Sequence, residues 1–278
     1  MRDKAYAKIN LSLDVFNIRE DGYHDIKSIM IPLNFYDVVD IEIANHDEYS
    51  CNNNYIKFNE KNSIIKMINV LKEKYNINDS YRINLNKVVP MQAGLGGGTS
   101  DAASTLRIFK KLYNLDLSKQ EERDICVAVG ADVLFNYYNV PAVVSGIGDF
   151  VEPFNVKNEY NVLIVKPRTG VSTKQAYETL DINICDHPNI DELKEALVEG
   201  KEINGLLGNS LEQPALILNK DILNIKNLLK GNGCKNVLMS GSGSSVFAIS
   251  TDYEELARMV EPAKKAGYYA RLTKTRAY

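Results

Sequence analysis

The feature that most constrains the fold of this chain is a glycine-rich segment between a predicted strand and a predicted helix. Four glycines fall within five positions of this first glycine segment. Glycines permit positive φ and let successive N–H groups converge on an anion, and the following helix adds partial positive charge. A phosphate-binding loop is therefore predicted, although a tight strand–helix turn also fits. The segment consists of Pro90, Met91, Gln92, Ala93, Gly94, Leu95, Gly96, Gly97, Gly98, Thr99 and Ser100.

The first glycine segment differs from two common nucleotide-binding motifs. No Lys-Ser or Lys-Thr pair follows the glycines, so it is not a Walker A loop. Thr99 also interrupts the G-x-G-x-x-G pattern of dinucleotide-binding folds. The anion that it would bind must therefore be identified from the rest of the chain.

A second glycine segment, Ser240-Gly241-Ser242-Gly243, lies between two short apolar stretches far along the chain. Taken alone, it is typical of a hairpin turn. Two glycine segments of this kind in one chain are more informative than either by itself.

Composition bounds the class of protein. The chain has 278 residues, of which 45% are hydrophobic and 25% are charged, as in ordinary globular proteins. Its net charge of -3 argues against a surface that neutralises a run of nucleic-acid phosphates. No signal peptide and no stretch near the ~20 apolar residues of a membrane span is visible. We therefore expect a cytoplasmic protein that binds neither nucleic acid nor membrane.

Cysteines and histidines are too scattered for several kinds of site. The pattern indicates neither a disulfide framework nor a zinc site, and it argues against a Ser-His-Asp hydrolase. The residues concerned are Cys51, Cys126, Cys185, Cys234, His24, His46 and His187.

Hydrophobic periodicity predicts an α+β fold of two lobes. Period-2 alternation indicates strands over residues 7–15, 26–33 and 38–43, and further strands are expected over 82–89, 142–154 and 161–167. Helices are predicted over 62–71, over 102–113 and after Ser118, which resembles an N-cap. Strands are also predicted over 236–240, 245–250 and 268–273. A boundary near residue 154 separates the predicted lobes, 1–154 and 155–278.

Three ordered motifs resemble those of the GHMP kinase superfamily: Lys8-Ile9-Asn10-Leu11, residues 90–103 and the second glycine segment. This resemblance implies an N-terminal lobe like ribosomal protein S5, a C-terminal ferredoxin-like lobe and an active site in the cleft between them. It also implies that ATP is the phosphoryl donor, bound by the first glycine segment, with Mg²⁺ whose ligands stay open. Asp101 is one candidate for holding magnesium through water.

Further motifs are similar to one branch of the superfamily. They are Asp21-Gly22-Tyr23-His24, Gly130-Ala131-Asp132-Val133, Lys166-Pro167 with Thr173 and Tyr177, and the segment from Asn209 to Ala215. This branch phosphorylates the 2-position hydroxyl of a cytidine-diphosphate-linked polyol in the non-mevalonate isoprenoid pathway. The resemblance covers nearly the whole chain, with Tyr6, Thr99, Leu134 and Ser210 departing from the usual residues.

The resemblance assigns the catalytic pair to Lys8 and Asp132. Asp132 would accept the proton of the substrate hydroxyl, and Lys8 would keep Asp132 ionised and orient the hydroxyl. From the residues alone, the pattern favours a helix cap for Asp132 and a solvated strand position for Lys8.

The resemblance also implies how the cytidine substrate is bound. Tyr23 and Tyr177 would stack on the two faces of the base, and His24 would hydrogen-bond its edge. Without the resemblance, both tyrosines are typical of half-buried packing residues. The remaining implied substrate contacts are Asn10, Thr173, Gly241, Ser242 and Gly243.

Two other functions stay open at this point. One is another small-molecule kinase of the superfamily, acting on a mevalonate-pathway intermediate, homoserine or a sugar. The other is a protein of the same fold that senses nucleotide without turnover. The aromatic residues argue against the first, and retention of both Lys8 and Asp132 argues against the second.

Overall fold

A computed structural model describes residues 1–276 of the chain. Its strands are β1 Arg2–Ile18, β2 His24–Ala44, β3 Glu48–Cys51, β4 Ser80–Asn86, β5 Ala142–Gly146, β6 Phe150–Pro153, β7 Asn161–Lys166, β8 Gly208–Asn209, β9 Asn236–Met239, β10 Val246–Ser250 and β11 Tyr269–Lys274. Its helices are α1 Ser63–Tyr75, α2 Gly97–Leu112, α3 Lys119–Val129, α4 Val133–Tyr138, α5 Thr173–Thr179, α6 Ile190–Glu199, α7 Glu212–Leu218, α8 Asp221–Gly231, α9 Tyr253–Ala257 and α10 Val260–Lys265.

Two sheets organise these elements, so the predicted α+β class is confirmed. The first sheet has the strand order β3-β4-β2-β1-β8, with β5 paired to β2 and β6 paired to β5. Strand β8 runs parallel to β1 and pairs Leu13 with Asn209. Strand β1 carries Lys8 and Asn10, so this sheet fixes the backbone of two predicted site residues.

The second sheet is antiparallel throughout and has the order β11-β7-β10-β9. With the intervening helices, the chain order β7, β9, β10, β11 is that of the ferredoxin-like motif, as expected. One face of this sheet, including Val165, Val246 and Ala248, belongs to the same buried cluster as Ile225 and Leu229 of α8. The second glycine segment connects β9 to β10 and is therefore anchored by two buried strands.

The chain divides into two compact units that it enters more than once. One unit comprises Met1–Ala7, Phe35–Pro90 and Gly96–Asn139, and the other comprises Lys8–Asn34, Met91–Leu95 and the chain from Val140 onward. The predicted boundary near residue 154 stays a prediction.

Helix caps account for where two predicted helices begin. Ser118 caps α3 through a capping box with Glu121, which confirms the N-cap expected from the sequence. Helix α2 instead begins after Gly96, which has a φ of 68° and offers no side-chain cap. Its buried face includes Ala102, Leu106 and Phe109, as the sequence spacing predicted.

Two predicted strand assignments were wrong. The stretch 142–154 is a hairpin of β5 and β6, because Gly146 and Gly148 take positive φ of 69° and 109° and reverse the chain. The stretches 26–33 and 38–43 are one continuous strand, β2, because buried positions alternate through the residues between them. Within residues 1–276, none of the helices is long and apolar enough to cross a membrane.

Candidate active site

Lys8 and Asn10 lie side by side on β1 and are almost completely buried. The Lys8 ammonium donates to Asn10 Oδ1 at 2.7 Å, and Asn10 Nδ2 donates to Ser28 Oγ at 2.9 Å. The Lys8 backbone N–H donates to the Leu95 carbonyl at 3.0 Å. A buried cation with a fixed neutral partner is thus held beside the first glycine segment.

The two glycine segments touch at Gly94 and Ser240. Ser240 Oγ donates to the Gly94 carbonyl at 2.9 Å, and it accepts the Asn10 N–H at 3.4 Å. Gly94 has a φ of 71°, and a Cβ on it would lie 1.9 Å from the Ser240 carbonyl oxygen. Only glycine permits this approach, so the two segments and β1 form one hydrogen-bonded group.

The N-terminus of α2 is open to an anion. The first N–H groups of a helix have no intrahelical acceptor, and Gly96 supplies no side-chain cap for them. Gly98 is exposed, and a Cβ there would meet only Ser63 Oγ, at 3.3 Å. This geometry is the one by which helix N-termini bind phosphate.

A buried ionic cluster lies against the start of α2. Lys87 Nζ contacts Asp37 Oδ2 at 2.7 Å and Asp101 Oδ2 at 2.6 Å, and all three side chains are buried. Asp37 Oδ1 also accepts the N–H groups of Val88 and Val89. A Cβ on Gly97 would lie 3.1 Å from Lys87 Nζ, so the cluster packs directly against the glycine backbone.

The two carboxylate oxygens of Asp101 have different surroundings in this cluster. Asp101 Oδ1 is buried without a hydrogen-bond partner, whereas Asp101 Oδ2 contacts Lys87. Burial raises the pKa of Asp101 to about 7, against the opposing effect of the Lys87 ammonium. Lys87 and Asp37 were not predicted from the sequence, because a lysine just after a strand and an aspartate between two predicted strands are usually solvated.

Asp132 stands at the N-cap position of α4, yet its side chain makes no capping hydrogen bond. The Asp132 side chain therefore does not act as the cap of α4, which was the alternative role expected from the residues alone. Asn136 Nδ2 donates to the Asp132 carbonyl at 3.0 Å and to Thr99 Oγ1 at 2.8 Å. The backbone of Asp132 is thereby tied to the helix that follows the first glycine segment.

The three aromatic residues predicted to hold a base are only partly assembled. The rings of His24 and Tyr177 pack with centroids 4.8 Å apart and an angle of 45° between planes. Burial lowers the pKa of His24, which favours the neutral imidazole at pH 7. Tyr23 is 59% exposed at the turn between β1 and β2.

Other predicted substrate contacts lie along the second glycine segment. The hydroxyl groups of Thr173 and Ser242 are hydrogen-bonded at 2.8 Å. Gly241 and Gly243 have φ of 55° and 86°, which exclude most side chains without strain. Their predicted roles toward a ligand stay predictions.

The first glycine segment also contacts the chain near Gly170 and Ser245. A Cβ on Gly170 would lie 2.6 Å from the Gln92 side chain, and the Ser245 N–H donates to the Ala93 carbonyl at 3.2 Å. Met91 is 42% exposed. These contacts set the backbone path of the segment before α2 begins.

The described part of the chain holds no group of three or more His, Cys, Asp or Glu side chains that could bind a metal ion. Asp101, the candidate magnesium residue, directs one oxygen to Lys87.

Two family models match the chain. The model for the GHMP kinases N terminal domain matches residues 62–146, and the model for the GHMP kinases C terminal region matches residues 185–270. The first match contains both α2 and Asp132. The second match contains the second glycine segment.

Curated relatives match the chain from end to end. The 4-diphosphocytidyl-2-C-methyl-D-erythritol kinase of Thermoanaerobacter pseudethanolicus is 38% identical over 279 residues, covering 98% of this chain and 95% of the relative. The enzyme of the same name from Clostridium perfringens is 36% identical over 282 residues, covering 99% and 98%.

A solved structure has the same fold. A crystal structure of 4-(cytidine 5'-diphospho)-2C-methyl-D-erythritol kinase matches with a TM-score of 0.84 and 27% sequence identity, and the match covers 100% of both chains.

Proposed function

Because the chain belongs to the family of 4-diphosphocytidyl-2-C-methyl-D-erythritol kinases within the GHMP kinases, we propose that it transfers the γ-phosphoryl group of ATP to the 2-hydroxyl of that cytidine substrate. It is an ATP-dependent kinase, and the reaction is a step of the non-mevalonate isoprenoid pathway. The observation that carries the proposal is the match to relatives of this name over nearly the whole chain.

The first glycine segment would hold the phosphates of ATP. The uncapped N-terminus of α2 and the exposed Gly98 support this role, because both leave backbone N–H groups accessible to an anion. The Lys87 cluster does not need to touch ATP to contribute. It fixes the backbone of Gly97 from the buried side, so the N–H groups are preorganised before the nucleotide arrives.

Lys8 and Asp132 would perform the proton transfer. Phosphoryl transfer requires an in-line hydroxyl, removal of its proton and balance of the phosphate charge. Asp132 would accept the proton with its carboxylate. Lys8 would orient the hydroxyl with an ammonium that Asn10 already positions.

The cytosine base would be bound by His24, Tyr177 and Tyr23. Neutral His24, already packed on Tyr177, can donate to or accept from the base edge. The exposed ring of Tyr23 has an accessible face for stacking. Thr173, Asn10 and the second glycine segment would contact the rest of the substrate.

Magnesium would accompany ATP and neutralise phosphate charge when bound. Its protein ligands stay open, with Asp101 as one candidate for holding it through water. We also propose a cytoplasmic location, which suits the small soluble substrates.

The direct test is release of ADP from ATP with purified protein and alternative acceptors. We expect turnover with 4-diphosphocytidyl-2-C-methyl-D-erythritol and inhibition of that turnover by CMP. We expect no turnover with mevalonate, phosphomevalonate or homoserine. Turnover with one of those acceptors instead would favour another kinase of the superfamily. ATP binding without ADP release under any of these conditions would favour a nucleotide sensor.

The role of Asp132 is tested by Asp132→Asn, which keeps size but removes basicity. We expect kcat to fall by about 10²–10⁴-fold, the usual contribution of a positioned base, with both substrate dissociation constants within a few-fold. Asp124→Asn, at a position on α3 outside the proposed site, is the matched control. A folded Asp132→Asn protein with near-normal kcat, when chemistry limits turnover, contradicts the assignment.

A further inference from the structure

The second glycine segment is held from behind by one buried asparagine. Asn209, 2% exposed, donates from Nδ2 to the Met239 carbonyl at 2.9 Å and to the Gly241 carbonyl at 2.8 Å. Its Oδ1 accepts the Leu211 N–H at 2.9 Å, so every polar atom of the side chain is used. One rigid amide therefore spans the start of the turn between β9 and β10.

The carboxylate of Glu212 fixes the same turn through the backbone N–H of Met239. Glu212 Oε2 accepts the Met239 N–H at 2.9 Å, and Glu212 Oε1 is paired with the Lys226 ammonium. Both flanking groups of Met239, its N–H and its carbonyl, are thus bound by side chains from the segment 209–212. These hydrogen bonds restrain the turn along the direction of β9.

The position of this turn matters because Gly241 lies against the proposed reaction centre. A Cβ on Gly241 would lie 3.3 Å from Asn10 Oδ1 and 3.2 Å from the Gly94 carbonyl oxygen. Asn10 Oδ1 is the atom that accepts the Lys8 ammonium. The contacts therefore lead from Asn209 through Gly241 and Asn10 to Lys8.

We propose that Asn209 is a positioning residue for phosphoryl transfer, which sets the second glycine segment against Asn10 and thereby fixes Lys8 toward the acceptor hydroxyl. The proposal rests on the proposed function. Asn209 acts through Gly241 and touches neither substrate in this account. A displacement of about 1 Å at such a site costs on the order of 100-fold in rate.

The test is Asn209→Asp in the full-length protein, assayed at saturating ATP and 4-diphosphocytidyl-2-C-methyl-D-erythritol. The aspartate still accepts the Leu211 N–H, but it sets an oxygen against two carbonyl oxygens in place of a donor. We expect kcat to fall about 10- to 100-fold while the ATP dissociation constant changes less than about threefold. Amide hydrogen exchange within residues 240–245 should rise.

The matched control is Asn161→Asp. Asn161 is also buried and donates from Nδ2 to two successive carbonyls, those of Ser250 and Thr251, at the other end of β10. The Asn161→Asp variant should lose about as much stability as Asn209→Asp, while its kcat stays at the wild-type value. Asn209→Ser, whose hydroxyl donates to one carbonyl, should fall between wild type and Asn209→Asp, and it replaces Asn209→Asp if the latter does not fold.

The outcomes separate the two levels of inference. Absence of turnover in wild type overturns the proposed function itself. An active wild type with unchanged kcat in the Asn209 variants overturns the positioning role. Equal losses of kcat in Asn209→Asp and Asn161→Asp, in proportion to thermal stability, also overturn it, because they make Asn209 a merely structural residue.

Discussion

The two glycine segments have similar composition but are supported by different side chains. The first leads into α2 and packs against a buried cluster of formal charges, Lys87 with Asp37 and Asp101. The second joins two strands. The carbonyls of Met239, just before it, and of Gly241, within it, are bound by the neutral amide of Asn209, and the Met239 N–H is bound by the Glu212 carboxylate. The first support can titrate and is sensitive to loss of one partner, whereas the amide cannot titrate. Glycine content alone therefore does not reveal how a loop is held.

The largest expected effect comes from removing the cation of the first support. Lys87→Met leaves Asp37 and Asp101 buried without their counter-charge, and breaking a buried pair in this way costs about 3–5 kcal/mol. Urea unfolding measures the loss. Lys74→Met, which removes a partly exposed partner of Glu121, should cost at most about 1 kcal/mol. Similar costs for both variants would mean that charge does not support the first segment.

The next effect concerns the point where the two segments meet. Gly94→Ala sets a Cβ against the Ser240 carbonyl oxygen and strains a positive φ, so we expect a loss of about 2–4 kcal/mol. Gly205→Ala has a φ of 78° and nothing within 4 Å of the added Cβ. It isolates the backbone strain of about 1–2 kcal/mol. If thermal or urea unfolding finds the two variants equal, the segments do not depend on this close approach.

The smallest expected effect is a pH dependence of the first support. Asp101 has a folded pKa of about 7, raised from 3.8 by burial, so protonation stabilises the fold. This stability is fully present below about pH 3.8 and is lost as pH rises through 7. Relative to Asp101→Asn, wild type should therefore lose up to about 3 kcal/mol of unfolding free energy between pH 4 and pH 7.

Denaturant unfolding at several pH values measures this difference. Asn209→Ser carries no titrating group, so its stability difference from wild type should stay constant over the same range. A constant difference for Asp101→Asn as well would remove the distinction between a titrating and a non-titrating support.

Much of the fold could be predicted from the sequence, because periodicity and caps are local. The stripe of α2 and the cap at Ser118 were predicted from spacing alone. The hairpin at Gly146 was missed because apolar residues continue on both sides of the turn. The two predicted stretches within β2 pair with different strands, 26–30 with β5 and 38–44 with β4, and spacing cannot report partners so distant in sequence.

The candidate site was less predictable, for a physical reason. Lys8 and Asp132 were found through a family resemblance, and their local patterns are those of ordinary strand and helix-cap residues. Lys87 and Asp37 are 50 residues apart, and no local signal brings them together. Asn209 stood in a recognised motif, but its hydrogen bonds to the Met239 and Gly241 carbonyls depend on the fold, which sets these distant residues beside it.

The hydrogen bonds around Asn209 also affect the chemical stability of its side-chain amide. An asparagine followed by serine is prone to deamidation, in which the next backbone nitrogen attacks the side-chain carbonyl carbon, and such residues are thermolabile. The Ser210 N–H donates to the Leu13 carbonyl at 2.9 Å, within the pairing of β8 with β1. The attacking nitrogen is therefore held in a sheet while the amide is fixed by three backbone partners. The fold that positions the turn therefore also protects the Asn209 side-chain amide from slow hydrolysis to aspartate over the lifetime of the folded chain.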